Sequence, residues 1–339
     1  MTIAVDTHAR RQPGQLALPA LVLAFAVAAA IAAPWRYLAY LESYLCQAII
    51  LPPILAAGVA VASLLLRPAA PFSFILDTTR ESLLRVVLVV LLCMLGVSAF
   101  TTFKVLIPEF VPFYADPILA QLDRMVHGGD PGLLARAIVP AWAHYPLAFL
   151  YGPVWFIQWF GLMGFVALLP SQAFRMRYFW AMALTFCLLG TAAATIFSSV
   201  GPVFYERIYM DDRFAALTRL VFDGSAVGSY MAEATSYLYD SYMSSAVRLG
   251  SGISAMPSMH IAVATLNAHM LFSFDRRAGI IGWAYLGAIF IGSIFLGWHY
   301  ALDGYFSFIA VSLIWWAASR LPGARGAQVH SDGKLMQPA

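Results

Sequence analysis

Long apolar runs separated by polar segments dominate this sequence of 339 residues. A helix that crosses a bilayer needs about 20 mostly apolar residues. The pattern therefore predicts an all-α, polytopic membrane helix bundle with about eight transmembrane helices. The predicted spans are residues 17–35, 47–66, 84–106, 146–169, 177–199, 258–274, 279–297 and 300–319.

The same pattern divides the chain into three parts. Residues 1–83 are predicted to form a polar N-terminal tail and two accessory spans, and residues 84–320 a six-helix core. Two long segments, 107–145 and 200–257, interrupt this core on one side of the membrane. Residues 321–339 are polar, and we expect them to be disordered.

The composition excludes a water-soluble domain. Hydrophobic residues make up 61% of the chain and charged residues 11%, whereas a soluble domain carries about 25% charged residues. The net charge of +3 is small, and no basic stripe interleaves with aromatic residues, so a nucleic-acid partner is not expected. Cys46, Cys93 and Cys187 lack the spacing of a disulfide framework or a zinc site, and we interpret them as packing residues.

Arginine and lysine are concentrated in alternate polar segments. Cytoplasmic loops carry an excess of these residues, so both termini are predicted to be cytoplasmic. Segments 107–145 and 200–257 then face the extracytoplasmic side. This orientation fits an integral protein of a bacterial inner membrane. The basic residues that set it are Arg10, Arg11, Arg67, Arg80, Arg85, Arg175, Arg177, Arg276, Arg277, Arg320, Arg325 and Lys334.

The first candidate element for chemistry is Ser254-Ala-Met-Pro-Ser-Met-His260, at the start of the sixth span. Pro257 suits a first helical position, because its φ is fixed and its missing N–H is not needed there. The free N–H groups of Ser258, Met259 and His260 would point out of the helix end and form a seat for a phosphate. His260 could then protonate a leaving oxygen.

The second element is Gly297-Trp-His-Tyr-Ala-Leu-Asp-Gly-Tyr305, at the start of the eighth span. His299 and Asp303 are four residues apart and share one helix face. A carboxylate there can hold one imidazole nitrogen and fix the tautomer, which leaves the other nitrogen free to attack phosphorus. Because both helix starts point to the extracytoplasmic side in the predicted topology, the two elements are expected to meet at one rim of the membrane.

Two other interpretations fit residues of this kind. A single histidine near an interface is often only a polar tip at the lipid headgroups, and this stays the alternative for His127, His144 and His269. Two histidines and a carboxylate also match a facial metal site. The pairing of His299 with Asp303 accounts for the carboxylate without a metal, so we predict no metal and no other cofactor.

Pro257-Ser-Met-His260 and His299-Tyr-Ala-Leu-Asp303 resemble the second and third signature motifs of the type-2 phosphatidic acid phosphatase superfamily. The His-Tyr-x-x-Asp form is similar to that of the inositol phosphorylceramide synthase branch and its bacterial relatives. The resemblance covers about residues 84–320. It implies that His299 is the nucleophile and forms a phosphohistidine, that Asp303 orients it, and that His260 is the general acid toward the leaving group.

The chain departs from the phosphatase branch at two positions where that branch has arginines. Gly201-Pro202 stands where Arg-Pro is typical, and Ser293 lies six residues before His299. A phosphoryl transition state needs positive charge or aimed N–H donors, and Lys104, near the end of the third span, is the first candidate to supply the charge. The residues predicted to bind substrate or phosphate are Ser258, Lys104, Gly201, Pro202, Tyr205, Arg207, Arg248 and Tyr300, with Arg213 as a further cation.

The sequence predicts a membrane lipid phosphotransferase with a lipid phosphoester as donor and a lipid or polyol hydroxyl as acceptor. If water is the acceptor, the enzyme is a lipid phosphate phosphatase, and exclusion of water by segment 200–257 decides between the two. A transporter or scramblase is a more distant alternative. Transport predicts charges near span midpoints, whereas the ionisable groups singled out here lie at one rim. The donor, the acceptor and the oligomeric state stay open.

Overall fold

The structure is a computed structural model that describes residues 16–66 and 69–325. The predicted N-terminal tail and most of the predicted disordered C-terminal tail lie outside the described residues. So do four of the basic residues on which the predicted orientation rests, namely Arg10, Arg11, Arg67 and Lys334.

The described part of the chain is helical and contains no strand. Two π-helical segments, Leu150–Val154 and Thr185–Ala193, join α7 to α8 and α9 to α10, and a single turn, Ala48–Ile50, joins α2 to α3. The helices are α1 (Ala17–Ala32), α2 (Pro34–Gln47), α3 (Leu51–Leu66), α4 (Pro71–Phe110), α5 (Asp116–His127), α6 (Pro131–Ile138), α7 (Ala141–Phe149), α8 (Trp155–Leu168), α9 (Gln172–Leu184), α10 (Ala194–Ile196), α11 (Pro202–Tyr209), α12 (Ala215–Val221), α13 (Ala226–Ser244), α14 (Met259–Phe274), α15 (Arg276–Phe295) and α16 (Ala301–Ala318).

Within the described ranges, six helical stretches are long and apolar enough to cross a membrane. Two shorter apolar helices, α1 and α14, lie at the other two predicted spans. The prediction of an all-α polytopic membrane bundle is confirmed. The six stretches are Pro34–Ala60, Ser82–Phe110, Ala141–Leu168, Gln172–Ile196, Arg276–Phe295 and Ala301–Ala318.

Helix α14 lies inside the bundle, in contact with α8, α9, α15 and α16. Residues 261–268 are all buried, as expected for a helix that is apolar on nearly every face. Small residues let α15 approach closely, because a Cβ at Gly282 would lie only 3.0 Å from the Cα of Ala268. This packing fixes the direction of the first turn of α14, which carries His260.

Helix α2 is absent from the predicted spans, because charged residues such as Arg36 interrupt the apolar pattern there. The hydroxyl of Tyr40 lies 2.8 Å from Ser251 Oγ, and Gly250 N donates to the hydroxyl of Tyr44 at 3.1 Å. Helix α2 therefore supports the chain just before the first candidate element.

Helix α4 is longer than the predicted span at 84–106. It begins at Pro71, so Arg80 and Arg85 lie in a helix rather than in a loop. Its 40 residues span about 60 Å, twice the thickness of about 30 Å of the hydrocarbon core, so part of α4 extends beyond the bilayer.

The two segments predicted to face the extracytoplasmic side fold largely into helices. Segment 107–145 contains α5, α6 and the start of α7, and segment 200–257 contains α11, α12 and α13. Helix α5 contacts α16, and α6 contacts α15. These short helices surround the end of the bundle at which α14 and α16 begin.

Candidate active site

The two candidate elements meet at one end of the bundle. Helix α14 begins at Met259 and α16 begins at Ala301, and the residues before each helix start lie side by side. The ring centroids of His260 and His299 are 6.3 Å apart, with the ring planes inclined by 58°. This separation suits a reacting phosphorus atom approached from both sides, since atoms about to react lie about 3 to 3.5 Å apart.

His299 is held through one of its ring nitrogens. Nδ1 lies 2.8 Å from the carbonyl oxygen of Ala255 and 3.3 Å from Asp303 Oδ2. Because both partners are acceptors, Nδ1 carries the proton and Nε2 carries the lone pair. Nε2 makes no hydrogen bond with any residue that the structure describes. His299 thus presents a nucleophilic nitrogen whose direction is fixed.

Asp303 supplies the negative charge beside His299. Its side chain is fully buried, and Oδ2 accepts a second hydrogen bond from Tyr300 N at 3.0 Å. A carboxylate in this position stabilises the positive charge that develops on an attacking imidazole. Among the described residues, no three His, Cys, Asp or Glu side chains are grouped so as to hold a metal ion.

His260 lies between two aromatic rings that the sequence did not single out. Tyr151 stacks on it with centroids 4.2 Å apart and planes inclined by 11°, and Trp155 lies at 4.2 Å and 35°. Trp155 Nε1 also donates to the carbonyl of His260 at 3.1 Å. These contacts fix the plane of the imidazole.

Ser258 is the N-cap of α14 and is held by a side-chain hydrogen bond. Its Oγ accepts a hydrogen bond from Ile261 N at 3.4 Å as the N-cap. The prediction that Pro257 takes the first helical position is wrong, because Pro257 precedes the cap and follows a cis peptide bond. The amides of Met259 and His260 donate to no described residue, so two helix N–H groups still point out of the helix end.

Lys104 lies in α4 against the chain that leads into the first element. A Cβ at Gly252 would lie 3.0 Å from Lys104 Cγ, so Lys104 contacts the chain two residues before Ser254. Lys104 takes part in none of the ion pairs among the described residues. A contact of Lys104 with phosphate stays a prediction.

The family model of the PAP2 superfamily matches residues 117–317, or 201 of the 339 residues, which is more than half of the chain. The chain belongs to the PAP2 superfamily. The matched range includes both candidate elements and begins after α4. PAP2 membership supports phosphatase- or phosphotransferase-type chemistry on lipid phosphoesters, and together with the apolar helices it indicates an integral membrane protein. Comparison with curated proteins and with solved structures gives no match.

Gly201, one of the residues predicted to bind phosphate, makes a turn. Its φ of +84° suits glycine, and a Cβ there would collide with the carbonyl oxygen of Trp298. Its amide donates to Asp116 Oδ1 at 2.8 Å. Pro202 begins α11 and is buried, and Tyr205 is buried as well, with its ring 4.8 Å from that of Tyr209. A contact of these residues with phosphate stays a prediction.

The predicted arginines lie on the short helices and loops around the site of this PAP2 protein. Arg207 lies over the ring of Tyr239 and Arg248 over that of Tyr237, each 5.2 Å from the ring centroid. Arg213 lies 5.7 Å from the ring centroid of Phe214. None of the three forms an ion pair within the described ranges, and their contact with substrate also stays a prediction.

Two buried aspartates on α5 accept hydrogen bonds from the residues that follow His299 in this PAP2 protein. Neither role was predicted from the sequence. Asp123 accepts hydrogen bonds from Ala301 N and Leu302 N, at the start of α16. Asp116 accepts from Tyr300 Oη at 2.9 Å, so the Tyr300 hydroxyl is directed at a carboxylate rather than at a ligand. Burial raises the pKa of both aspartates above the usual value, and their hydrogen-bond donors oppose the rise. Asp116 and Asp123 are seven residues apart, which puts both on one helix face. This spacing is the sequence feature from which a shared role could have been inferred.

Proposed function

We propose that this protein is an integral membrane phosphotransferase that cleaves a lipid phosphoester through a phosphohistidine at His299. It transfers the phosphoryl or phospho-headgroup to the hydroxyl of a lipid or polyol, as in the inositolphosphotransferase-like branch. The observation that carries the proposal is the engagement of His299 Nδ1 by two acceptors, the Ala255 carbonyl and Asp303. This leaves the lone pair on Nε2, and the ring of His260 lies 6.3 Å from that of His299.

The reaction has two steps. In the first, His299 Nε2 attacks phosphorus, the bond from phosphorus to the leaving oxygen breaks, and His260 donates its proton to that oxygen. In the second, the now neutral His260 takes the proton of the acceptor hydroxyl, whose oxygen attacks the phosphohistidine and releases His299 Nε2. Asp303 stabilises the positive charge on His299 in both steps.

Positive charge for the phosphoryl oxygens comes from Lys104 and from the unpaired amides of Met259 and His260. Charge aimed at the transition state has a large effect where water is excluded. Ser258 contributes as the cap that fixes the direction of these amides. These three sources replace the two arginines that the phosphatase branch has at the positions of Gly201 and Ser293.

A lipid donor is supported by an apolar groove between α14, α15 and α16. Ile261, Phe290 and Phe308 are among the side chains that line it, and Ile261 directly follows His260. An acyl chain in this groove would keep its headgroup at the end of the bundle that carries the site. By the arginine distribution, that end faces the extracytoplasmic side of a bacterial inner membrane and both termini are cytoplasmic.

Replacement of His260 by glutamine should lower turnover by about 10²- to 10⁴-fold, the usual range for a lost general acid. The loss in the first step should be largest for a donor with an alkoxide leaving group and should nearly vanish for a p-nitrophenyl phosphoester, because nitrophenolate leaves without a proton. The comparison is of the single-turnover rate of leaving-group release for the two donors with purified protein in detergent, because the second step needs His260 with either donor. An equal loss with both donors would refute the role of general acid.

The identity of the acceptor is tested by incubating the purified protein with radiolabelled phosphatidic acid or phosphatidylinositol, with and without ceramide, diacylglycerol or inositol. Transfer predicts labelled product that depends on the added hydroxyl compound. Label released as free phosphate or phospho-headgroup at the same rate without an acceptor would select the phosphatase. Movement of intact lipid between leaflets without any cleavage would select the scramblase.

A further inference from the structure

We propose that Asp116 is a positioning residue that holds both hydrogen-bond acceptors of His299 Nδ1, and so fixes the catalytic tautomer. The inference rests on the proposed role of His299 as nucleophile. Asp116 lies at the start of α5, is fully buried and accepts hydrogen bonds from four groups. These groups are Val200 N, Gly201 N, Tyr209 Oη and Tyr300 Oη.

The first connection runs through Tyr300. The Tyr300 hydroxyl donates to Asp116 Oδ1 at 2.9 Å, and the backbone amide of the same residue donates to Asp303 Oδ2 at 3.0 Å. Asp303 Oδ2 in turn accepts from His299 Nδ1. Because Tyr300 directly follows His299 in the chain, a shift of its ring would move the backbone that carries the histidine as well as the amide that orients the carboxylate.

The second connection runs through the turn at residues 199–201. Asp116 Oδ2 accepts from Val200 N at 2.9 Å and Oδ1 from Gly201 N at 2.8 Å. On the other side of this turn, the carbonyl of Ser199 accepts from Ala255 N at 3.0 Å, and its Oγ accepts from Met256 N at 3.0 Å. The Ala255 carbonyl is the nearer of the two acceptors of His299 Nδ1.

The two connections start from one carboxylate and end on the two atoms that determine which nitrogen of His299 carries the proton. All four partners of Asp116 are donors, so the carboxylate form satisfies them and an amide does not. An asparagine would offer one acceptor oxygen and direct its own N–H groups at two of the donors. In a buried site such a mismatch leaves donors unpaired and displaces the chain that carries them.

Tyr209 provides a matched control. Its hydroxyl donates to the same carboxylate, at 2.9 Å from Asp116 Oδ2, but Tyr209 reaches neither Ala255 nor Asp303. Tyr300→Phe and Tyr209→Phe each remove one hydroxyl from the same buried acceptor. Only Tyr300→Phe removes a contact of a residue that is adjacent to His299 and hydrogen-bonded to Asp303.

The experiment measures kcat and KM of the full-length protein in detergent with phosphatidic acid and phosphatidylinositol as donors. Asp116→Asn and Tyr300→Phe should lower kcat by about 10²-fold, the effect of a misplacement of about 1 Å, with KM changed less than about threefold. Tyr209→Phe should keep kcat within about threefold. In ¹⁵N spectra of histidine-labelled protein, the His299 signal should change from the Nδ1–H tautomer to a mixture in the first two variants only.

Wild-type kcat and an unchanged His299 tautomer in Tyr300→Phe would overturn the proposal, as would equal losses in Tyr300→Phe and Tyr209→Phe. If Asp116→Asn does not fold, the two tyrosine variants still decide. His299→Ala in the same assay separates this test from that of the proposed function. Activity in His299→Ala would refute the nucleophile, whereas an inactive His299→Ala beside a fully active Tyr300→Phe would refute only the role of Asp116.

Discussion

Replacement of His299 by alanine is expected to lower turnover of every accepted lipid phosphoester by about 10⁴-fold or more, with the protein still folded and inserted in the membrane. The reason is that, among the described residues, the neighbouring imidazole offers no equivalent replacement. His260, whose ring lies 6.3 Å from that of His299, contacts Tyr151 and Trp155 and forms no ion pair with a described carboxylate. Loss of the nucleophile of a covalent mechanism removes the whole pathway rather than one contribution to it.

The control for this variant is His144→Ala, which removes an imidazole from the same end of the bundle. His144 Nε2 lies 3.2 Å from the carbonyl oxygen of Val139 and is separate from the site. The His144→Ala variant should keep turnover within about threefold of the wild-type value. In size-exclusion chromatography in detergent, both variants should elute as the wild type does. Wild-type turnover in folded His299→Ala on a donor that the wild-type protein cleaves would contradict the mechanism.

Replacement of Asp303 by asparagine is expected to lower kcat by about 10³- to 10⁴-fold, the size of effect seen when the carboxylate beside a catalytic histidine is neutralised. Oδ2 receives hydrogen bonds from both His299 Nδ1 and Tyr300 N. If the amide oxygen took this place, the charge that stabilises the imidazolium would be lost. If the amide N–H₂ took it, the tautomer would reverse and Nε2 would lose its lone pair.

The measurement is kcat in detergent, and the matched control is Asp240→Asn, which neutralises an exposed aspartate on α13. We expect Asp240→Asn to behave as the wild type, because exposed substitutions away from such contacts have small effects. A folded Asp303→Asn with more than about a tenth of wild-type kcat would show that the carboxylate has only a structural role at the start of α16.

The helices and the proximity of the two histidines were predictable, because both depend on local patterns. The apolar runs define the spans, and the arginine distribution predicts that the starts of α14 and α16 lie on one side. A residue near the start of each helix should then lie near the same end of the bundle, which is where His260 and His299 are found. The contact between His299 and Asp303 is present, but the prediction that the two share a helix face is wrong, because His299 precedes Tyr300, the N-cap of α16.

The support around the site was not predictable in the same way. Asp116 and Tyr300 are separated by 184 residues in the chain, and no periodicity links an aspartate at the start of α5 to a tyrosine just before α16. Gly201 and Tyr300 were predicted as ligand contacts at positions of the resembling motifs, whereas both donate hydrogen bonds to Asp116. Short helices in segments 107–145 and 200–257 form by packing on the bundle, which a sequence pattern shows only weakly.

The central claim, a covalent intermediate on His299, is tested most directly by trapping it. The protein is mixed with a radiolabelled donor lipid in the absence of acceptor, denatured in alkali during turnover, digested and analysed by mass spectrometry. We predict a phosphoryl or phospho-headgroup adduct, stable in alkali and labile in acid, on the peptide that contains His299 and absent from His299→Ala. Turnover of the donor with no adduct on His299, or with the adduct on another residue, would contradict the account.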